Sequence, residues 1–202
     1  VFLTTKVWIT NAGYEKAKAS IEESMRKLQT DYLDLLLIHQ PFGDYYGTYR
    51  AMEELYQAGK LRAIGVSNFG PDRYLDIEHF STVKPAVNQI ETHVFQQQKT
   101  AKKYLEKYGC QIESWGPFAE GRSDMFTNRK TAAQTALRFL IQSDVVVIPK
   151  SVHKDRMQQN FDIFDFTLTA EDMSAISALD GGESLFFSHY APETVEWFMS
   201  IV

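Results

Sequence analysis

The sequence predicts an α/β fold built on a parallel sheet, and two observations carry this prediction. Short apolar runs alternate with amphipathic helical segments six times along the chain. Such alternation is typical of parallel strands that are joined by right-handed helical crossovers. The run at 145–148 consists of β-branched residues, which fits a strand buried on both faces. Two architectures remain open at this point, a doubly wound sheet and a (β/α)₈ barrel.

Six apolar runs are predicted to be strands: residues 1–8, 32–38, 63–66, 86–91, 111–115 and 145–148. The second run stops at His39, Gln40 and Pro41. The last run stops at Pro149, because proline has no N–H to donate to a neighbouring strand.

Seven segments are predicted to be helices: residues 14–29, 49–58, 73–79, 97–108, 130–142, a segment that follows Ser151 and contains residues 155–160, and residues 169–179. In the first of them Ala17, Ile21, Met25 and Leu28 keep the spacing of one buried helix face. Thr169 and Asp172 form a variant of the capping box at the start of the last. Residues 43–47 are predicted to be a loop, and the chain from Gly181 onward an irregular aromatic tail.

Length and composition limit the class of protein. The 202 residues are 44% hydrophobic and no linker divides them, so we expect one domain over residues 1–202. A formal net charge of −5 argues against nucleic acid or an anionic membrane as the main partner. No apolar run is long enough to span a bilayer, so no membrane helix is expected. The single cysteine, Cys110, excludes a disulfide framework within one chain, and we expect a cytoplasmic protein.

Polar residues follow nearly every predicted strand, and this distinguishes the two architectures. A doubly wound dinucleotide fold should carry a Gly-x-Gly-x-x-Gly turn, which the sequence lacks. A barrel instead collects the carboxyl ends of all its strands around one site. The residues at these ends are Lys6, His39, Ser67, Asn68, Gln89, Trp115 and Lys150. The sequence therefore favours the barrel.

Each of these side chains has a structural explanation as well as a chemical one. Lys6 could extend its ammonium to solvent past an apolar strand, or hold a developing oxyanion. His39 could be a satisfied core residue, or point a ring N–H at a carbonyl oxygen. The hydroxyl and amide groups could cap turns or bind a carboxamide, and Trp115 could fill the core or stack on a flat ring. Their joint placement after successive strands favours the chemical explanation.

The segment around residue 150 suits an anionic nucleotide. Lys150 and Ser151 lie at a predicted strand end, and a helix follows them. Arg156, Gln159 and Asn160 are three and four residues apart, so they share one face of that helix. Lysine and arginine would meet phosphate, and the arginine plane could stack on a base. The alternative is an exposed loop followed by a solvated polar helix.

Several runs closely resemble the aldo-keto reductase family, in the expected order from residue 1 to about residue 180. They are Leu3-Thr-Thr-Lys6-Val-Trp8, Asp31-Tyr-Leu-Asp-Leu-Leu-Leu-Ile-His39-Gln-Pro41, Gly59-Lys-Leu-Arg-Ala-Ile-Gly-Val-Ser67-Asn68-Phe69, Lys84-Pro-Ala-Val-Asn-Gln89-Ile-Glu91 and Ile148-Pro-Lys-Ser151. The run Ile112-Glu-Ser-Trp115-Gly-Pro117 looks most like the bacterial branch that contains the 2,5-diketo-D-gluconate and glyoxal reductases.

The resemblance implies a (β/α)₈ barrel that reduces aldehydes and ketones with NADPH and without a metal. It implies that Lys6 and His39 are catalytic and that Trp8 and His39 line the substrate pocket. The cofactor-binding residues that it implies are Ser67, Asn68, Gln89, Trp115, Gly116, Phe118, Glu120, Lys150, Ser151, Val152, His153, Arg156, Gln159 and Asn160. A small carbonyl compound, such as a keto sugar, would be the substrate, and we expect a monomer.

The sequence also departs from the family pattern. The family uses an Asp, a Tyr, a Lys and a His, and no tyrosine here stands in a context that matches the catalytic one. We count about six βα units rather than eight, so we expect an incomplete barrel whose natural protein is longer. Residues 127–130 join two ends that relatives usually separate, and Gln40 stands where many relatives have tryptophan. An alternative to the reductase is therefore a non-catalytic NADPH-binding or interaction protein, or an inactive fragment.

Overall fold

The computed structural model describes residues 1–119 and 131–201. Within these residues six strands alternate with helices. The strands are β1 (Thr4–Val7), β2 (Leu35–Ile38), β3 (Ile64–Ser67), β4 (Val87–Glu91), β5 (Gln111–Trp115) and β6 (Val146–Val147). The helices are α1 (Tyr14–Leu28), α2 (Tyr45–Gln57), α3 (Pro71–Phe80), α4 (Lys99–Lys107), α5 (Ala132–Gln142), α6 (Lys154–Phe161), α7 (Ala170–Ser177) and α8 (Pro192–Ser200).

The strands form one sheet whose order follows the chain, from β1 to β6. The pairs β1–β2, β2–β3 and β5–β6 are parallel, so the predicted parallel α/β fold is confirmed. The chain divides into two compact units. The first contains Val1–Asn88, Lys103–Cys110 and Phe187–Val202, and the second contains Gln89–Lys102 and Gln111–Phe186. The prediction of one domain stays a prediction.

The register of the first unit rests on a buried central strand. All four residues of β2 are buried, and Leu35 to Leu37 are no more than 2% exposed. Lys6 pairs with Leu37, and Leu37 pairs with Gly65. On α1 the predicted face is confirmed at Ala17, Ile21 and Met25, which are its buried residues. The prediction was wrong for Leu28, which is 47% exposed because the helix ends there. Burial on both sides holds β2 in place, since a shift by one residue would exchange its two faces.

Helix α2 begins earlier than the sequence predicts. Residues 43–47 were expected to form a loop, and this was wrong, because the helix begins at Tyr45. Asp44 is its N-cap, and the carboxylate accepts a hydrogen bond of 2.8 Å from the backbone N–H of Gly47. A capping carboxylate stabilises the first turn and offsets the low helix propensity of glycine.

The prediction of an irregular tail after Gly181 was also wrong in part. Helix α8 occupies Pro192–Ser200, with proline in its first turn, where no N–H is needed. Its Phe198 is 2% exposed and packs against Ile9 and Phe42. This tertiary contact stabilises a nine-residue segment that is too short to be helical by itself.

In the second unit, β6 differs from its prediction. The run at 145–148 was expected to be buried on both faces, but the strand is only Val146–Val147, and Val146 is 44% exposed. The physical reason is its position, because β6 pairs with β5 and stands last in the sheet order. The predicted cap of α7 is confirmed: the Thr169 hydroxyl and the Asp172 carboxylate form a reciprocal capping box.

None of the helices within residues 1–119 and 131–201 is both long and apolar enough to cross a membrane.

Gly65 allows the backbone at Val87 to approach strand β3 closely, so we expect a larger side chain at this position to lower stability. A Cβ atom on Gly65 would lie 2.3 Å from the backbone oxygen of Val87 and 2.9 Å from Cδ2 of Leu37. Because a backbone oxygen cannot move aside cheaply, Gly65→Ala should lower the free energy of unfolding by about 2 kcal/mol or more. Urea denaturation of the two chains measures this difference.

Gly59→Ala is the matched control for this prediction. Nothing lies within 4 Å of a Cβ on Gly59, but its φ of +74° is strained for alanine. That strain alone should cost about 1 kcal/mol. Equal losses in the two variants would mean that steric contact at Gly65 is unimportant.

Candidate active site

The ends of the first three strands stand side by side. Val7 and Ile38 are register partners, and so are Ile38 and Val66. The next residues along the chain are therefore Trp8 after Val7, His39 after Ile38 and Ser67 after Val66. The backbone N–H of His39 continues this row, because it donates a 3.0 Å hydrogen bond to the oxygen of Val7.

Strand geometry places four predicted site residues on one side of this part of the sheet. Side chains alternate along a strand, so Lys6 and Trp8 project to the same side. Leu37 is the register partner of Lys6, and His39 lies two residues beyond it on that side. Ser67 lies two residues beyond Gly65 in the same way, and its side chain is fully buried. The register therefore places Lys6, Trp8, His39 and Ser67 on one side of the first three strands.

His39 is a partly buried imidazole that is neutral at physiological pH. Burial, and to a smaller extent the nearby Lys6 ammonium, lower the pKa of His39 to about 4. Its ring makes an edge contact with Trp8, with the ring centres 4.9 Å apart. A neutral imidazole has one ring N–H, which it can donate to a carbonyl oxygen, and one acceptor nitrogen.

Asn68 ties the ends of β2 and β3 together. It has a left-handed backbone with φ of 65°, which asparagine tolerates better than most residues. Its Nδ2 lies 3.1 Å from the backbone oxygen of His39, 3.2 Å from Ser67 Oγ and 3.3 Å from Gln40 Oε1. This amide therefore has a structural role in holding the strand ends, whatever else it binds.

An aromatic cluster from the C-terminal segment lies against Trp8, and the sequence analysis missed its position. Phe198 is 6.1 Å from Trp8 and 5.2 Å from Phe42, measured between ring centres. Trp197 lies 4.7 Å from Phe198, and Phe187 lies 5.9 Å from it. The only signal in the sequence was the high aromatic content of the tail.

In the second unit, Gln89 is buried in the middle of β4 and is oriented by a carboxylate. Its Nε2 donates a short hydrogen bond to Oε1 of Glu113 on β5, and both residues are no more than 9% exposed. Glu113 was not among the predicted residues. A carboxylate that holds one end of a carboxamide fixes the direction in which the amide oxygen and the remaining N–H point.

Trp115 is the last residue of strand β5, and Gly116 follows it. The Trp115 ring is partly exposed and makes an edge contact with Phe186, with ring centres 5.0 Å apart. A Cβ on Gly116 would lie 3.4 Å from the Phe186 ring. Phe118 is partly buried just beyond. Glu120 lies outside the described residues.

The polar residues near position 150 are mostly exposed. Lys150, His153 and Arg156 are exposed, and the side chains of Val152 and Gln159 face solvent too. The Ser151 hydroxyl accepts a 3.1 Å hydrogen bond from the backbone N–H of His153, which is the N-cap of α6. Exposed cations before and within the first turn of a helix provide charge that suits a phosphate group.

Asn160, like Ser151, is partly buried. It lies at an apolar cavity of about 590 Å³, whose other lining residues include Val145, Val146, Met157, Phe161 and Phe164. The predicted roles of these residues toward a nucleotide stay predictions. Within the described part of the chain, no three His, Cys, Asp or Glu residues are arranged to hold a metal ion.

Comparison with known proteins places the chain in a family. The sequence matches the family described as "Aldo/keto reductase family" over residues 1–131 and 126–181. It is 44% identical over 192 residues to a glyoxal reductase of Bacillus subtilis, a match that covers 91% of this chain and 70% of the relative.

Solved structures agree with the sequence match. An aldo-keto reductase from a deep-sea metagenome library is 40% identical with a TM-score of 0.89, over 94% of this chain and 75% of that one. An aldo-keto reductase of Bombyx mori, solved in complex with NADP, is 30% identical with a TM-score of 0.84, over 93% and 70% of the two chains. The chain therefore belongs to the aldo/keto reductase family.

Proposed function

We propose that this protein reduces aldehydes and ketones to alcohols with NADPH. The observation that carries the proposal is the neutral, partly buried His39 beside Lys6 in a chain of this family. Two relatives support it by their names, a glyoxal reductase and a reductase solved with NADP. The proposal concerns a small carbonyl substrate, and a dicarbonyl such as glyoxal is the first to try.

The residues of the chain fit the parts of this cofactor. When bound, NADPH supplies a hydride to the carbonyl carbon. We assign the carboxamide of the nicotinamide to Ser67, Asn68 and Gln89, and its ring to Trp115. The buried, carboxylate-oriented amide of Gln89 suits such a partner, because a carboxamide offers one donor group and one acceptor.

The remaining assignments follow the family resemblance. Gly116, Phe118 and Glu120 are assigned to the pyrophosphate. Lys150, Ser151, Val152, His153 and Arg156 are assigned to the adenosine 2′-phosphate, and Gln159 and Asn160 to the adenine. Exposed cations at Lys150 and Arg156 support the second group, because a phosphate dianion is bound by charge and by N–H donors together.

Lys6 and His39 would act on the carbonyl oxygen of the substrate. A neutral His39 donates its ring N–H to that oxygen and orients the carbonyl, and Trp8 packs against the imidazole and limits its rotation. The Lys6 ammonium stabilises the negative charge that develops on the oxygen as the carbonyl is reduced. We assign no residue of the chain to the proton transfer, because no tyrosine matches the family's acid.

A second candidate is an NADPH-binding protein without turnover. The two candidates share the cofactor site and differ only in whether a carbonyl compound is consumed. Measurements of binding and of turnover on the same sample therefore distinguish them.

The first prediction concerns Lys6. With NADPH and glyoxal, the unmodified chain should consume NADPH, and Lys6→Met should lower kcat by about 10²-fold or more, because a charge that stabilises the transition state is lost. The dissociation constant for NADPH should change by less than about threefold, which is within about 0.7 kcal/mol. Lys16→Met, an exposed lysine of α1, is the control and should have no effect. NADPH binding without turnover in the unmodified chain would favour the second candidate, and no binding would contradict both.

The second prediction concerns Arg156. Loss of a charge-assisted hydrogen bond at an exposed site should weaken NADPH binding by about tenfold in Arg156→Ala. Binding of NADH, which has no 2′-phosphate, should not change. Lys154→Ala is the matched control, because residues two positions apart on a helix face different ways. Equal weakening of NADPH and NADH by Arg156→Ala would contradict the assignment to the 2′-phosphate.

The third prediction concerns the protonation of His39. Its pKa lies below the ordinary 6.5, so the folded protein keeps the imidazole neutral while the unfolded chain takes up a proton between pH 6.5 and about 4. The contribution of His39 to the free energy of unfolding is therefore fully present above pH 6.5 and decreases as the pH falls toward 4. An NMR titration of the imidazole in the unmodified chain should give a pKa of about 4.

Lys6→Met tests the cause of this shift. Removing the ammonium should raise the pKa of His39, but the value should stay below 6.5 because burial is the larger cause. Return of the pKa to 6.5 in this variant would show that the charge of Lys6, rather than burial, controls the imidazole.

A further inference from the structure

A buried carboxylate at the end of β4 has no part in the proposed chemistry. Glu91 is 6% exposed, and its Oε1 accepts hydrogen bonds from Nε2 of His93 at 2.9 Å and from the backbone N–H of Leu185 at 2.9 Å. Its Oε2 accepts a short hydrogen bond from the hydroxyl of Ser184. Burial alone would raise the pKa of Glu91. The hydrogen bonds from His93, Ser184 and Leu185 together outweigh burial, so the pKa of Glu91 is lowered. This carboxylate is thus held by three donors from two segments of the second unit.

The orientation of His93 is fixed as well. Its Nδ1 accepts hydrogen bonds from the backbone N–H groups of Phe95 and Gln96, at 3.2 and 3.1 Å. Because Nδ1 is an acceptor, the ring N–H is on Nε2, which donates its hydrogen bond to Glu91. His93 has no exposed surface, so this pair forms a rigid anchor rather than a solvent-accessible acid and base.

The anchor holds an irregular segment that follows α7. At the near end of that segment, the Asp180 carboxylate accepts hydrogen bonds from the backbone N–H of Gln97 at 3.0 Å and pairs with Lys99 at 3.1 Å. At the far end, the Ser184 hydroxyl donates to Glu91 and accepts a 3.1 Å hydrogen bond from the backbone N–H of Phe186. The contact with Glu91 therefore sets the position of Phe186 through Ser184.

Phe186 in turn contacts the end of β5. Its ring lies 5.0 Å from Trp115 at an interplanar angle of 63°, and it lies against the site of a Cβ on Gly116. A single ring in such an edge contact covers no more than one face of the indole. Contacts of this kind restrict how far an indole can tilt.

Glu91 and Trp115 also lie on one side of the sheet. Gln89 contacts Glu113 across the β4–β5 pair, and Glu91 and Trp115 lie two residues beyond these partners. Because side chains alternate along a strand, all four face the same way. The anchor therefore lies on the same side of this strand pair as Gln89 and Trp115, which we assign to the nicotinamide.

We propose that Glu91 is a positioning residue of the cofactor site. Through Ser184 and Leu185 it holds Phe186 against Trp115, and this contact fixes the indole that receives the nicotinamide ring. This inference rests on the proposed function, because it needs Trp115 to stack on the cofactor.

The experiment compares two ligands, NADP⁺ and adenosine 2′,5′-bisphosphate, which contains the adenine and the 2′-phosphate but no nicotinamide. Phe186→Ala and Glu91→Gln should each weaken NADP⁺ binding by about 3- to 10-fold, the range expected for the loss of one aromatic contact. Binding of the bisphosphate should not change in either variant. Glu183→Gln removes an exposed carboxylate from the same segment and is the matched control, for which neither affinity should change.

A spectroscopic measurement separates positioning from general stability. The chain has three tryptophans, so replacing Trp8 and Trp197 by phenylalanine leaves Trp115 as the single reporter. Titration with NADP⁺ should quench its fluorescence less in the Phe186→Ala background than with Phe186 present. Because Phe186 lies in an irregular, partly exposed segment, this variant keeps the test available if Glu91→Gln fails to fold.

Three outcomes would overturn the inference. Unchanged NADP⁺ affinity in Phe186→Ala would show that the contact does not position the indole. Equal weakening of both ligands would show a general structural effect. Failure of the unmodified chain to bind either ligand would overturn the proposed function as well. If all variants bind the bisphosphate normally, the cofactor site is intact, and unchanged NADP⁺ affinity then contradicts only the positioning role of Glu91.

Discussion

The register of the parallel strands is the constraint on which the candidate site depends. Lys6, Leu37 and Gly65 lie in one row of the first unit, and the strands end together just beyond that row. A slip of one residue in β2 would turn His39 to the opposite side of the sheet. The leucines of β2 prevent such a slip because they are buried on both faces. The chemistry assigned to His39 is therefore stabilised by apolar residues that take no part in it.

Buried carboxylates have a similar supporting role in the second unit. Glu91 and Glu113 are each less than 10% exposed, and each accepts hydrogen bonds from polar side chains. Taking a carboxylate out of water is costly, and the cost is offset only where its oxygens have donors. Such a network adds little net stability, but it permits only one arrangement of its side chains. A site that must hold a flat ring requires a single fixed arrangement.

Features with a local signal were predictable from the sequence. The buried face of α1 follows from its apolar spacing, and the start of α7 follows from Thr169 and Asp172. The strand-end residues were found because polar side chains interrupt the chain just after apolar runs. The early start of α2 was missed although its cap is local, because Gly47 lowers the helix propensity of that turn.

Features that depend on distant contacts were not predictable. Helix α8 needs its contact with Phe42, and the short, exposed β6 depends on its place in the sheet order. The role of Glu91 depends on Leu185, which is 94 residues away along the chain. The sequence did carry one signal there, since Glu91 ends a predicted strand, and a charge that a strand buries has to be paired.

The exposed cations of α6 have a kinetic consequence. The whole chain carries a net charge of −5, whereas Lys150 and Arg156 are exposed cations just before and within the first turn of this helix. A local positive region on an acidic protein attracts an anion over a distance comparable to the Debye length, about 8 Å at physiological ionic strength. Added salt should therefore lower the association rate of a phosphate-bearing ligand and change its dissociation rate less. The ionic strength thus controls how fast such a ligand binds.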